Sequence, residues 1–458
     1  MNIIICGAGR VGFSISKQLS AQGHSITVID QSSEFIQKIS DTQDVNAVVG
    51  RATFPSVLEK AGAEDADMII AVTQNDETNM VICQVAYSIF KINKKIARLR
   101  SQEFLGGKWG KLYGESNLPI DVIISPELEV AKSLQRKLDA PGAVDSVPFA
   151  NGKIKVLEIN IGKNCPLVNT ELAKLTENFP ALKANVLGVI RGEKFVILKK
   201  KDKMIIDDKA FVVVNASQIN TTLSAFGHEE KMAKKILIIG GGNIGLSLAK
   251  KLETDSEGVR VKIIEKNKER AEFIANELNN TIVINGDGLD EDVLKEANIE
   301  EAETVLSLTN DDEDNIMVGV LAEKNTPNKR TIALVNKQNY SLLQTSLKID
   351  DLVDPRLTTI STILKHVHKG TIETVYTLLD GEYEFIEAEV LETSELISKS
   401  IKDSNLPEEI RIGAIVRKKE VIIPKSDFVF EKKDLVVFLT KREHLEKVES
   451  LFRISSLV

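Results

Sequence analysis

The sequence predicts an α/β protein with two doubly wound parallel sheets, each followed by a small α+β module. Three observations carry that expectation. Short apolar runs rich in Ile and Val alternate with stretches of helical period, the pattern of a parallel sheet covered by helices on both faces. Two of those runs, NIIIC and KILII, lead directly into Gly-x-Gly-x-x-Gly loops, GAGRVG at Gly7–Gly12 and GGGNIG at Gly240–Gly245. The order of blocks around the first loop then returns around the second.

In the first unit, Asn2–Cys6 reads as a strand, Val11–Gln22 as a helix, His24–Asp30 as a strand and Ser33–Ile39 as a helix. A third strand falls within Val45–Thr53, a fourth opens Asp65–Met80, and a fifth ends at Arg98. Asp121–Ile124 is the last strand, and the helix after Pro126 closes the unit. The second unit repeats this with Lys235–Gly245, Val259–Glu265, Asn280–Gly288, Glu301–Met317 and Asp351–Leu364. Such a repeat is a tandem duplication of a Rossmann unit, expected over residues 1–140 and 229–370, with right-handed crossovers. Small modules follow at 141–228 and 371–458, and the charged stretch Gly227–Lys235 reads as the linker between the halves. In the first module Lys153–Ile161, Lys194–Lys199 and Phe211–Val214 read as strands and Asn169–Leu175 as helical. In the second, Glu384–Val390, Ile410–Val416, Val421–Ile423 and Leu435–Leu439 read as strands and Leu396–Asp403 as a helix.

The bulk properties narrow the function classes. The chain has 458 residues with 59 basic and 67 acidic side chains, a net charge of −8. An acidic balance argues against a nucleic-acid partner, which a basic domain would serve. No window is apolar for long enough to span a membrane. The start, MNIIICGAG, is expected to carry no secretory leader. Cys6, Cys83 and Cys165 lack metal-ligand spacing; Cys6 and Cys83 sit in apolar runs as small core residues, and unpaired thiols suit a reducing cytoplasm.

The candidate site follows from the glycine loops. Gly7 allows the turn out of the first strand, Gly9 lets backbone approach a pyrophosphate, and Gly12 lets the helix pack close to the strand. The helix N-terminus offers free N–H groups and a positive dipole end. Asp30, at the tip of the second strand, can accept from ribose hydroxyls and would repel a 2′-phosphate, favouring NAD over NADP. Gly240, Gly242, Gly245 and Glu265 repeat the set. Arg10 in the first loop corresponds to Asn243 in the second, so the phosphate ends of the two sites are expected to differ. Thr73 and Gln74, matched by Thr309 and Asn310, follow the fourth strands, at the carboxyl edge where ligands of open sheets bind. Asp76 and Glu77 read as dipole-complementing residues of a first helical turn. Arg98 ends the fifth strand, facing either phosphate or a neighbouring carboxylate; its counterpart is Leu334.

Signs of catalysis are missing. His24, His228, His366, His368 and His444 are scattered, and none is placed at the top of a sheet or at catalytic spacing from an acid. There is no nucleophile elbow. The reading is therefore a nucleotide sensor and not an enzyme. An NAD-dependent oxidoreductase with an unrecognised substrate site, and an interaction scaffold with vestigial loops, are the alternatives.

Together, GAGRVG, GGGNIG, the VTQNDETNM segment and a small module after each unit resemble the RCK, or KTN, domains that gate potassium channels and transporters. Two such pairs in one chain are similar to the regulatory subunits of bacterial Trk potassium uptake systems. The resemblance implies that NAD(H), and ATP or ADP, bind at the loops. It carries contacts onto Gly7, Ala8, Gly9, Arg10, Val11 and Gly12, with Asp30, Thr73, Gln74 and Arg98. In the second unit it carries them onto Gly240, Gly241, Gly242, Asn243, Ile244 and Gly245, with Glu265, Thr309 and Asn310. It also implies a homotetrameric ring in the cytoplasm, held to the inner membrane only through a TrkH- or TrkG-type potassium transporter subunit. The chain departs from the family at Arg51, where the second unit has the more usual Asp287, and at Leu334, which leaves the second site short of an arginine. In the small modules Gly188 and Gly413 precede Arg191 and Arg417, which read as turn residues with no ligand set.

Overall fold

A computed structural model describes residues 1–105, 111–114, 116–174, 184–192, 194–230, 232–256, 258–325, 330–337, 340, 347–367, 374–378, 382–407 and 409–452. Ile- and Val-rich runs form strands because branched side chains pack well on a pleated surface covered on both sides. In the first half these are β1 (Asn2–Cys6), α1 (Arg10–Ala21), β2 (Ser25–Asp30), α2 (Ser33–Thr42), β3 (Asn46–Val49) and α3 (Pro55–Lys60). β4 (Met68–Ala71), α4 (Asp76–Ser88), β5 (Lys94–Arg98), β6 (Val122–Ile124) and α5 (Pro126–Asp139) complete it. The strand order is β3-β2-β1-β4-β5-β6, with the reversal between β1 and β4 that opens a crevice above the sheet. Ile3, Ile4, Ile5 and Cys6 of β1 are essentially buried, as are Met68, Ile69, Ile70 and Ala71 beside them, so the centre of the sheet is apolar on both faces.

A first small module follows: β7 (Asp145–Phe149), β8 (Ile154–Asn160), β9 (Ala184–Arg191), β10 (Lys194–Ile197), β11 (Lys209–Asn215) and α6 (Ile219–Ala225). The second half repeats the Rossmann pattern in β12 (Lys235–Ile239), α7 (Asn243–Asp255), β13 (Arg260–Glu265), α8 (Lys268–Glu277), β14 (Ile282–Asn285) and α9 (Glu291–Glu296). β15 (Thr304–Ser307), α10 (Asp312–Asn325), β16 (Arg330–Leu334), β17 (Asp351–Val353) and α11 (Pro355–Lys365) follow, in the order β14-β13-β12-β15-β16-β17. The last module is β18 (Thr374–Leu378), β19 (Tyr383–Glu389), β20 (Arg411–Arg417), β21 (Glu420–Ile422), β22 (Leu435–Lys441) and α12 (Leu445–Phe452).

These four pieces assemble as two compact units. One is Met1–Gln135 with Ala233–His366, and the other is Arg136–Met232 with Val367–Val458. In the first unit α1 packs on α11, Thr362 donates to Glu129 at 3.3 Å, and Gln135 donates to Asp255 at 3.2 Å. The two Rossmann halves therefore meet along their first and closing helices.

In the second unit the two five-stranded antiparallel sheets share one core. Phe149, Phe195 and Phe211 pack with Phe385 and Leu439, and the Phe195 and Tyr383 rings lie 4.7 Å apart. A Cβ at Gly413 would stand 2.6 Å from the Val213 side chain, so the two sheets come close together at this glycine. Arg191 holds Asp208 through two hydrogen bonds of 2.8 Å, and Arg417 holds the fully buried Asp434 in the same way. These arginines are structural ion pairs inside each module.

The structure corrects several expectations here. Of Leu396–Asp403 only Ile401–Asp403 is helical, and that as a single 3-10 turn; Ser398 sits at φ +62° and breaks the run. In Asn169–Leu175, residues 172–174 form a helical turn and Leu175 lies outside the described residues. Strands β7, β9 and β18 were not foreseen. β7 carries Pro148 and sits at a sheet edge, where a missing N–H is tolerated, and β9 is interrupted by Gly188 at an irregular pairing with β11.

Candidate functional site

The first glycine loop leaves β1 with Gly7 at φ +112°, a conformation that L side chains rarely adopt. A Cβ on Gly12 would lie 1.8 Å from the Gly7 carbonyl oxygen, so helix and loop are in direct contact there. Gly9 is the opposite case, with no heavy atom within 4 Å of where its Cβ would be. It faces open space. Gly9 is also the N-cap of α1 and supplies no side-chain cap, whereas α2 is capped by Ser32 and α4 by Asn75. The first-turn N–H groups of α1 are thus left to an external acceptor, and the helix dipole favours an anion there.

Asp30 does two things. Its Oδ2 accepts from the Ala8 N–H at 2.7 Å and its Oδ1 from the Ser32 N–H at 2.8 Å. It pins the glycine loop to the β2 tip and retains lone pairs toward the cavity. The second loop repeats this. Gly240 sits at φ +107°, Gly245 would clash with Gly240 oxygen at 2.1 Å, and Gly242 is an uncapped N-cap facing open space. Glu265 accepts from Gly241 N–H and Asn267 N–H, both at 2.8 Å. A loop, an uncapped helix and a doubly anchored acid fit a nucleotide's phosphates and ribose in both halves.

Sequence reasoning missed the residue that organises the neighbouring loop. Asn79 is fully buried; its Oδ1 accepts from Thr73 N–H at 2.9 Å and from the Thr73 hydroxyl at 2.7 Å. Its Nδ2 donates to the carbonyls of Thr73 and Arg98 at 3.2 and 2.8 Å. Asn315 makes the same four bonds to Thr309 and Leu334. The signal was available: this Asn recurs in both repeats, three residues after the helix-opening acid. Thr73 is consequently engaged with Asn79, while its loop borders the cavity. Asp76 does open α4, and its carboxylate also accepts from the Arg100 and Ser101 N–H groups, tying β5's exit to α4. Asp312 does the same for Asn336 and Lys337.

Two cavities open above these loops. The first, of about 970 Å³, is bordered by Gly7, Gly9, Arg10, Asp30, Thr73 and Gln74. The second, of about 700 Å³, is bordered by Gly240, Gly242, Asn243, Glu265, Thr309 and Asn310. Ala8, Gly12, Gly241 and Gly245 do not border them and act through the backbone contacts above. Val11, Arg98, Arg100 and Arg356 border both cavities, and Ile244 the second. Each half thus contributes cations to the other half's cavity.

That arrangement overturns one expectation. The second site is not short of arginine for having Leu334 and Asn243. Arg98 reaches it from the first half, and Arg270 of α8, which corresponds to Phe35, donates to the Gly241 carbonyl at 2.8 Å and to Asn243 Oδ1 at 3.1 Å. Arg98 itself donates to the Thr73 carbonyl at 2.6 Å, and its buried Nε has no hydrogen-bond partner. Burial, and then the neighbouring Arg100, pull its pKa below the ordinary arginine value. A phosphate would relieve both penalties. Arg51 borders the first cavity, while its counterpart Asp287 pairs with Lys266 at 2.7 Å, a contact that holds the Asp287 carboxyl below its usual range. Cys6 and Cys83 are buried in the first sheet's core; burial pushes the Cys83 thiol up to about 12.

The fold and its paired cavities define a class, chains with two tandem Rossmann units, each with a glycine-loop cavity at its carboxyl edge and a small α+β module after it. Comparison with known proteins agrees. The chain is similar to two structures of GsuK, the "GsuK RCK domain" (TM-score 0.60, 17% identity, covering 99% of this chain and 95% of that one) and the "GsuK channel bound to NAD" (TM-score 0.60, 16% identity, covering 99% and 79%). Residues 3–126 and 236–355 each match the TrkA-N domain, and 385–453 match the TrkA-C domain. The Trk system potassium uptake protein TrkA of Azorhizobium caulinodans is 43% identical over 99% of both chains, and that of Vibrio alginolyticus is 38% identical over 99% of both. The chain belongs to the TrkA family of Trk system potassium uptake proteins.

Proposed function

We propose that this chain is the nucleotide-sensing regulatory subunit of a potassium transport system, acting by ligand-dependent change of shape and not by turnover. NAD(H), and ATP or ADP, are its effectors, bound with their phosphates over the uncapped N-termini of α1 and α7 and their ribose hydroxyls on Asp30 and Glu265. Its partner is a membrane potassium transporter subunit of the TrkH or TrkG kind, met at the cytoplasmic face of the inner membrane. Four such chains form the ring that docks there. Among the described residues, no helix is long and apolar enough to cross a membrane, so in this reading the pathway for the ion belongs to the partner.

One observation carries this reading. Two glycine-loop cavities in a single compact unit share Arg98, Arg100 and Arg356, so an anion in either cavity acts on cations that border both. A ligand shifts a conformational equilibrium only by its difference in affinity for the two states, and shared cations supply such a difference. Calorimetric titration of the full chain with NAD, NADH, ATP and ADP is the direct test. Saturable binding together with nucleotide-dependent potassium flux through the reconstituted partner is expected. Absence of binding for all four nucleotides removes the proposal, and steady consumption of NADH with a substrate replaces it by an oxidoreductase.

A further inference from the structure

The closing helices α5 and α11 both begin with Pro, and the residue that follows it enters the other half's cavity. In α11 that residue is Arg356, which borders the first cavity as well as its own. In α5 it is Glu127, which borders the second cavity alone. The duplicated position thus carries opposite charges. Around the first cavity, Arg10, Arg51, Arg98, Arg100 and Arg356 face a single carboxylate, Asp30. Around the second, the three shared arginines with Lys266 and Arg270 face four carboxylates, Glu127, Glu265, Asp287 and Asp314.

Glu127 is only 6% exposed. Its Oε1 accepts from Arg100 Nε at 2.9 Å, while Oε2 is buried without a hydrogen-bond partner. An unpaired buried carboxylate oxygen repels a terminal phosphate and calls for a donor, such as a hydroxyl or an amide. Arg356 is held by Asp354 through Nε at 3.0 Å and Nη2 at 2.7 Å, which fixes its direction and leaves Nη1 N–H groups to give. Donors of that kind suit a phosphate that ends the ligand.

Resting on the nucleotide-binding reading above, we infer that the two cavities divide ligands by terminal charge, and that Arg356 and Glu127 set the division across the contact between halves. The first cavity favours a nucleoside di- or triphosphate with an unesterified terminal phosphate. The second favours a dinucleotide, whose phosphates are both esterified and whose far end carries hydroxyl and amide donors for Glu127.

The test is calorimetry of the full chain with ATP and with NAD, on the wild type, Glu127→Gln, Arg356→Gln and Arg356→Lys. Wild type should show two unequal ATP steps. Glu127→Gln, which keeps the shape of the side chain, should strengthen the weaker ATP step about tenfold and leave NAD unimproved or weakened. Arg356→Gln should weaken the tighter ATP step about tenfold and NAD by less than about threefold, and Arg356→Lys should retain most ATP affinity. Equivalent ATP sites in the wild type overturn the division of ligands, as do variants that move ATP and NAD by the same factor. A wild type that binds neither nucleotide is a separate result: it removes the sensor itself, and the division with it.

Discussion

The two Rossmann halves agree where the chain holds itself and disagree where it faces a ligand. Asn79 and Asn315 make the same four hydrogen bonds, Asp30 and Glu265 the same two, and the glycines meet the same obstacles. At the rims, Arg10 stands opposite Asn243, Phe35 opposite Arg270, Arg51 opposite Asp287 and Glu127 opposite Arg356. After duplication, a backbone bond in the loop has few substitutes, because a buried orphan N–H or carbonyl costs about 1–3 kcal/mol. A charge at a cavity mouth is free to change. The difference separates what builds a nucleotide cradle from what tunes it.

Breaking the shared part should produce the largest effects. Gly12→Ala and Gly245→Ala each force a methyl against a carbonyl oxygen and should cost about 3 kcal/mol, measured as a fall in thermal midpoint of the Rossmann unit. If one is tolerated, that half's loop is not held as its twin is. Asn79→Ala and Asn315→Ala should each cost about 2–3 kcal/mol, by the same assay, because buried backbone groups lose their partners. Unequal losses break the equivalence.

Ligand affinity sharpens the comparison next. Asp30→Ala should weaken NADH by about 1.5–3 kcal/mol, with Glu265→Ala acting on the other site by a similar amount. Unchanged NADH titrations in both variants reject the ribose role. Arg10→Asn should weaken ATP and ADP by about 1 kcal/mol and a dinucleotide by less, since an exposed guanidinium is well screened. Arg270→Gln is the matching change in the second half, and equal effects on ATP and NADH from either variant reject phosphate reading by that arginine.

The smallest effect belongs to the paired small modules. Glu158 accepts from the Tyr376 hydroxyl at 3.5 Å, and burial raises its pKa above the ordinary carboxylate value. Between its unfolded and folded pKa values the folded state binds more protons, so stability falls as pH rises through that window. Glu158→Gln removes this dependence. Calorimetric scans from acid toward neutral pH should show the wild type losing stability relative to the variant, and parallel curves refute it.

Much of this was legible from residue order. Period and apolar runs are local, and the duplication displayed them twice, so both parallel sheets and both glycine loops could be placed before any coordinates. Asn79 was passed over because a polar residue inside a helical segment looks like surface; its value comes from two loop carbonyls that only the fold brings to it. Arg356 and Glu127 were hidden for a stronger reason. Each acts away from its own motif, and which cavity it enters depends on how two halves pair in space. Likewise β7, β9 and β18 lacked a clean alternation because Pro148, Gly188 and edge positions weaken it.

The interleaving of chain segments has a consequence for synthesis. Each compact unit draws on two separated stretches, and residues 136–232 leave the ribosome long before 367–458. Until then, Phe149, Phe195 and Phe211 lack the apolar face formed by Phe385 and Leu439. Nascent chains carrying exposed sheet faces are prone to aggregate or to seek a neighbour's copy. Premature termination after about residue 366 therefore leaves the Rossmann pair able to close while the first small module stays uncovered, a sticky remnant for chaperones and proteases to clear.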